Sequence, residues 1–168
     1  MTKLQIKLLS ENATMPTRAN ATDAGYDIYS AETKILEPQE KAIIKTDLAV
    51  NIPKGYVGLL TSRSGVSSKT HLVIETGKID SGFHGNMGIN IKNDEQQTNE
   101  IGLHFNGVDG KPLETTDNHV FLRTYKINKG DKLAQLVIIP IWTPELEEVT
   151  EFDTQSIRGT NGFGSTGY

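Results

Sequence analysis

No stretch of this 168-residue chain sustains apolar side chains at i, i+3, i+4 and i+7. A helix that packs on a core needs that stripe, so a helical domain is excluded. Short apolar or alternating runs separated by Gly, Pro and Asn take its place. Leu4, Ile6 and Leu8 alternate with Lys3, Gln5 and Lys7. Residues 10–24 are polar and contain Pro16. Gly25 to Ala31 makes a short aromatic strand, and Lys41 to Ile52 ends at the turn Pro53-Lys54-Gly55. Tyr56 to Thr61 runs into Ser62-Arg63-Ser64-Gly65, where Ser64 to Lys69 has room for one helical turn. Lys132 to Ile141 is the most apolar run, bounded by Gly130-Asp131 and by Pro140 and Pro144, and suits a buried strand. Short strands with this punctuation predict an all-β jelly roll or barrel.

The length suffices for one domain with a real core. We expect that domain over 1–157, with a mobile glycine-rich arm over 158–168. A net charge of −4 excludes a general nucleic-acid binder, which carries a basic stripe, but leaves room for a local basic pocket that holds a polyphosphate. The absence of cysteine removes disulfides, thiolate metal sites and thiol nucleophiles, and fits a reducing compartment. No run approaches the ~20 apolar residues of a membrane span, and the N-terminus has no signal-peptide core. The expected location is cytoplasmic: the host cytoplasm, if a phage encodes the chain.

Several stretches carry chemistry. Thr76-Gly77-Lys78-Ile79-Asp80-Ser81-Gly82-Phe83-His84-Gly85 lies between the apolar runs His71–Ile74 and Met87–Ile91, and is expected to be a β-hairpin. It is either a turn, since Asp, Ser and Gly form turns, or a small-ligand pocket in which Asp80 activates water beside the Phe83 ring. Ser62-Arg63-Ser64-Gly65 brings hydroxyls, backbone N–H groups and a guanidinium together, the parts that bind phosphate. Gln135 is a polar side chain within an apolar strand; it either meets a ligand or is satisfied inside the sheet. Asp27 either caps a turn or assists a divalent ion. The tail supplies Arg158, Phe163, Ser165 and Thr166 among glycines, yet contains no P-loop. His71, His84, His104 and His119 lack metal-pair spacing, so a metal here would be Mg²⁺ held by substrate phosphates and water.

Taken in order, five of these stretches resemble the motifs of the trimeric dUTPase family. Ala24-Gly25-Tyr26-Asp27 is similar to the first motif, Arg63-Ser64-Gly65 to the second and Gly77-Lys78-Ile79-Asp80 with Phe83 and Gly85 to the third. Gly130-Asp131-Lys132-Leu133-Ala134-Gln135-Leu136 is similar to the fourth, and Arg158-Gly159 with Gly162-Phe163-Gly164-Ser165-Thr166-Gly167 to the fifth. The resemblance implies a β-clip jelly roll assembled as a homotrimer, with sites between subunits. It implies hydrolysis of dUTP with Mg²⁺, whose water shell Asp27 would touch. Asp80 would be the base, and Arg63, Ser64, Gly65, Gln135, Arg158, Ser165 and Thr166 would hold phosphates. Gly77, Ile79 and Phe83 would receive the deoxyuridine, while Phe163 and Gly164 would close the tail over uracil.

The chain departs from the family pattern in places. Phe83 stands where the family usually has Tyr, and Ile74-Glu75-Thr76 replaces a stretch that usually supplies an Asn. An insertion of about 94–124 separates the third and fourth motifs, which makes the chain similar to the dUTPases of staphylococcal phages. That likeness implies a second partner, the repressor protein of a mobile pathogenicity island. The insertion holds none of the five motifs, so exchanging Glu95 to Thr116 for a short loop is expected to spare the chemistry. Two other readings stand beside hydrolysis of dUTP: a dCTP deaminase of the same fold, and a regulatory module that senses nucleotide.

Overall fold

The computed structural model describes residues 3–117 and 119–161. Its elements are β1 (Gln5–Leu8), β2 (Gly25–Tyr29), β3 (Lys34–Leu36), β4 (Lys41–Lys45), β5 (Leu48–Asn51), β6 (Tyr56–Ser62), α1 (Ser64–Ser67), β7 (Leu72–Ile74) and β8 (Gly77–Ile79). They continue with β9 (Gly88–Asn93), β10 (Ile101–Gly102), β11 (His104–Asn106), β12 (Pro112–Glu114), β13 (Val120–Phe121), β14 (Tyr125–Ile127) and β15 (Lys132–Pro140). The expected all-β architecture and the single turn of helix are both present. Among the described residues no helix is long and apolar enough to cross a membrane.

Two sheets, β2-β15-β6-β8 and β4-β9-β7, contribute to one apolar core. Period-two alternation sends Ile28, Leu60 and Leu136 inward from the first and Ile44, Ile89 and Ile91 from the second. Strand β15 is central because nine residues can pair on both sides, with β2 and with β6. As expected of a buried strand, its core face is covered, while on the other face Val137 is half-buried and Ile139 is exposed. Their cross-strand neighbours Leu59 and Val57 are half-buried as well, so the outer face of this sheet carries an apolar stripe.

The stretch from His71 to Ile91 is not a simple hairpin. Strand β7 does pair with β9, with Ile74 opposite Ile91. Between them, however, β8 leaves that sheet and pairs with β6 in the other one. A chain that alternates apolar residues can serve either sheet, and only the long-range pairing selects one.

The insertion is folded rather than a polar loop. Strands β11 and β12 form a hairpin closed by Gly107 N–H donating to the Lys111 carbonyl at 2.7 Å, with Gly110 at φ +78°. Phe105 is buried beneath it, and β11 lies parallel to β14. At the base of the insertion the Glu95 carboxylate, 7% exposed, accepts from Arg123 Nη1 at 2.9 Å and lies 2.7 Å from His71 Nδ1. Glu95 is therefore an anchor of the main fold, and any replacement of the insertion has to begin after it. Removing this acceptor leaves two polar partners to find water, so Glu95→Ala is expected to destabilise the fold by about 1–3 kcal/mol. A lowered urea midpoint with an unchanged m value is the measurement that checks it.

Candidate active site

Pairing across the central sheet brings three separated stretches together. Gln135 on β15 stands opposite Asp27 on β2 and Thr61 on β6. One residue beyond the end of β6, Arg63 caps α1. The result is a cleft of about 260 Å³ lined by Arg18, Asp23, Asp27, Arg63, Ser64, Gly65 and Gln135, among others. Residues from three of the sequence stretches thus meet in one place.

The cleft is organised by charge. Arg63 Nε donates to Asp27 Oδ1 at 2.7 Å, and Lys132 Nζ lies 2.9 Å from Asp27 Oδ2. Arg63 Nη1 also donates to the Lys132 carbonyl at 3.2 Å. One carboxylate thus holds two cations at the rim, and that contact keeps the Lys132 ammonium pKa above its ordinary value. The expectation that Asp27 is either a turn cap or a metal helper is refined. Its carboxylate is mostly covered and is engaged by Arg63 and Lys132, so any ion would meet it through water. Among the described residues no cluster of three or more His, Asp or Glu side chains could hold a metal by itself.

Gln135 resolves in part as an amide tied to the sheet: Nε2 donates to the Ser62 carbonyl at 3.0 Å. An amide nitrogen carries two hydrogens, so one remains for a ligand. Gly25 makes room for this side chain, since a Cβ there would stand 2.6 Å from Gln135 Oε1.

Asp80 lies elsewhere. Strand β8 places Gly77 opposite Leu60 and Ile79 opposite Gly58. Beyond it the chain turns, with Phe83 N–H donating to the Asp80 carbonyl at 3.2 Å and Gly82 at φ +91°. Asp80 and Phe83 are both exposed, and the Phe83 ring covers Gly85, where a Cβ would meet it at 2.7 Å. Within one chain Asp80 and the Phe83 ring therefore form no enclosed pocket. Asp80 follows the partner of Gly58, whereas Arg63 follows the other end of β6. Six residue steps of strand put about 20 Å between the two positions.

The tail is the third part. From Ile141 onward the chain forms no strand in the described residues, and Trp142, Leu146, Phe152 and Ile157 are exposed. Arg158 is exposed and donates from Nε to the Asn161 carbonyl at 2.9 Å. Phe163, Gly164, Ser165 and Thr166 lie outside the described residues.

The roles of two residues, Lys132 at the rim and Arg18 in the cleft, escaped the sequence reading. Lys132 starts a strand, where a lysine ordinarily faces water, and nothing local pairs it with Asp27. Arg18 sits in a polar loop, yet its guanidinium stacks 4.4 Å from the Tyr26 ring centroid and lines the cleft.

A family model for dUTPase matches residues 11–103 and 120–167, passing over the β11–β12 hairpin. The human mitochondrial deoxyuridine 5'-triphosphate nucleotidohydrolase is 36% identical over 165 residues, which is 98% of this chain and 55% of the human one. Among solved structures, the dUTPase of Staphylococcus bacteriophage 80alpha with dUPNHPP superposes at TM-score 0.95, with 62% identity and full coverage of both chains. That protein is one of the phage dUTPases described as controlling transfer of virulence genes by a proto-oncogenic G protein-like mechanism. The dUTPase of S. aureus phage phi11, whose structure visualises a species-specific insert, is 64% identical at TM-score 0.89, covering 92% of this chain and all of that one. The structure of a mutant of the phi11 enzyme is described as revealing the molecular details for the coordination of a structural Mg(II) ion.

Proposed function

The chain belongs to the dUTPase family, and from that premise we propose that it hydrolyses dUTP to dUMP and pyrophosphate at sites shared between copies of itself. The observation that carries the reading is the cleft in which Arg63, Ser64, Gly65 and Gln135 converge beside Asp27. It gathers a guanidinium, a hydroxyl and an amide at one point, a donor set suited to a triphosphate.

In this mechanism Asp80 takes a proton from a water molecule. The oxygen attacks the α-phosphorus in line, and the bond to the α–β bridging oxygen breaks. Pyrophosphate carries away the electron pair. Arg63, Ser64 and Gln135, with Arg158, Ser165 and Thr166 of the tail, stabilise the charge that spreads over the phosphates. The backbone of Gly77 and Ile79 faces the uracil edge, Phe83 packs on deoxyribose and Phe163 stacks on the base. Mg²⁺ would be held by the phosphates and by water, with Asp27 at one remove, and would neutralise phosphate charge. The donor set fits that role, since a carboxylate already pairing two cations can still accept from a metal-bound water.

Assembly follows from distance. With Asp80 about 20 Å along β6 from Arg63, one chain cannot present both to one α-phosphate. A homotrimer in which the hairpin of one copy faces the cleft of another brings them together. The half-exposed stripe Val57, Leu59, Val137 and Ile139 and the exposed apolar side chains after Ile141 offer the surface that such contacts need. Mixing an Asp80→Asn chain with an Arg63→Gln chain, each impaired alone, is expected to restore part of the activity after co-refolding. No recovery in a mixed trimer would place both groups in one chain's site.

The deciding assay presents Mg²⁺ with dUTP, dCTP, dTTP and UTP, and follows pyrophosphate and ammonia. Pyrophosphate from dUTP alone is expected. Ammonia from dCTP would establish the deaminase reading instead. The β11–β12 hairpin, outside the family model, favours a second role: binding a repressor protein of a mobile pathogenicity island. A titration with and without the hairpin tests that role.

A further inference from the structure

We propose that the turn between β11 and β12 is a positioning element for the phosphate-binding loop, and that Gly110 is the residue through which it acts. The carrying observation is a close approach of two backbones. A Cβ on Gly110 would stand 2.6 Å from the Lys69 carbonyl oxygen, closer than real contacts allow. Gly110 also adopts φ +78°. The inserted turn thus rests on the end of the segment that begins at Arg63.

Both bodies in this contact are held firmly. On one side the segment is hydrogen-bonded from end to end. Ser67 N–H reaches the Arg63 carbonyl, Ser68 N–H reaches Ser64, and Lys69 and Thr70 N–H both reach Val66, at 3.0–3.2 Å. Val66 is 2% exposed in the core, and the Thr70 hydroxyl donates to its carbonyl at 2.8 Å. On the other side Phe105 is buried and Val108 packs against the core. Gly110 N–H donates to Gly107 at 3.0 Å, and Lys111 N–H donates to Asp109 Oδ1 at 3.1 Å. A displacement at Lys69 is therefore passed through one hydrogen-bonded turn to Arg63 and Ser64, the groups facing the phosphates. The dUTPase family model passes over 104–119, so this support is an addition to the family's common framework.

The inference rests on the phosphate-binding reading of Arg63 and Ser64, and the test separates the two. Gly110→Asn keeps the left-handed backbone accessible, since Asn visits that region, while adding the Cβ that Lys69 opposes. The expected result is a KM for dUTP raised about tenfold, the effect of losing about 1.4 kcal/mol of phosphate binding. Turnover at saturation falls too, because Arg63 and Ser64 also stabilise the charge that spreads over the phosphates. Amide exchange at Val66–Thr70 is expected to speed up, and Lys111→Ala, beside the contact, to change nothing. A wild-type KM, or faster exchange confined to His104–Glu114, overturns the inference, because the hairpin rather than the loop has then yielded. Arg63→Gln is measured alongside. If it leaves KM unchanged, the reading of the cleft fails. If it raises KM while Gly110→Asn does not, only the inference fails. Should Asn unfold the hairpin, deleting Val108–Gly110 removes the contact instead, and unchanged exchange at Val66–Thr70 then overturns the proposal.

Discussion

Asp80→Asn is expected to lower the turnover of dUTP by about 10²–10⁴-fold, the usual effect of removing a general base. The substitution keeps shape and hydrogen-bonding capacity and removes only the proton acceptor. It also keeps the fold, because Asp80 opens a turn with Phe83 N–H on its carbonyl, and Asn is as well suited as Asp to that first position. Affinity for a non-hydrolysable dUTP analogue should be unchanged or tighter, since a negative charge near the triphosphate is lost while Arg63 and Gln135 remain. Calorimetric titration beside single-turnover kinetics separates the two effects. Loss of both in a folded protein would make Asp80 a binding or structural residue. Near-wild-type turnover would leave the hairpin as a turn without chemistry.

Removal of 158–168 is expected to cost at least about 10²-fold in turnover, the scale of losing a single donor to developing charge, while leaving the melting temperature close to that of the full chain. The stability half follows from the structure. Residues 158–161 are exposed, and among the described residues the Arg158 side chain bonds only to nearby Asn161. The catalytic half follows from the tail's content. On the proposed function, Arg158, Ser165 and Thr166 would supply donors for the phosphates, and Phe163 a ring that covers the base and excludes water. Full turnover by the truncated chain would refute the lid assignment. A collapse of the fold would show that the segment bears on stability as well as on closure.

The sequence alone carried the fold class, because side-chain alternation and turn chemistry are local properties. Lys132 to Ile141 reads as a strand from its own residues, and the helical turn after Arg63 was visible in the same way. The five stretches of the site could also be found in order, since each is a short run of particular residue types. The choice of sheet for each strand could not be read. Gly77–Ile79 alternates as well as its neighbours do, yet it joins β6 rather than β9. That single pairing sets Asp80 far along the sheet from Arg63, which is the ground on which a site shared between chains is proposed. Lys132 was passed over for a related reason: its partner Asp27 is remote in sequence and adjacent only across the β2–β15 ladder. The insertion looked polar and separable until Glu95 proved buried and Gly110 was found against Lys69. Local preference depends on a residue and its near neighbours. Ion pairs, sheet partners and backbone contacts depend on which distant segments pack together, and only the tertiary structure decides that.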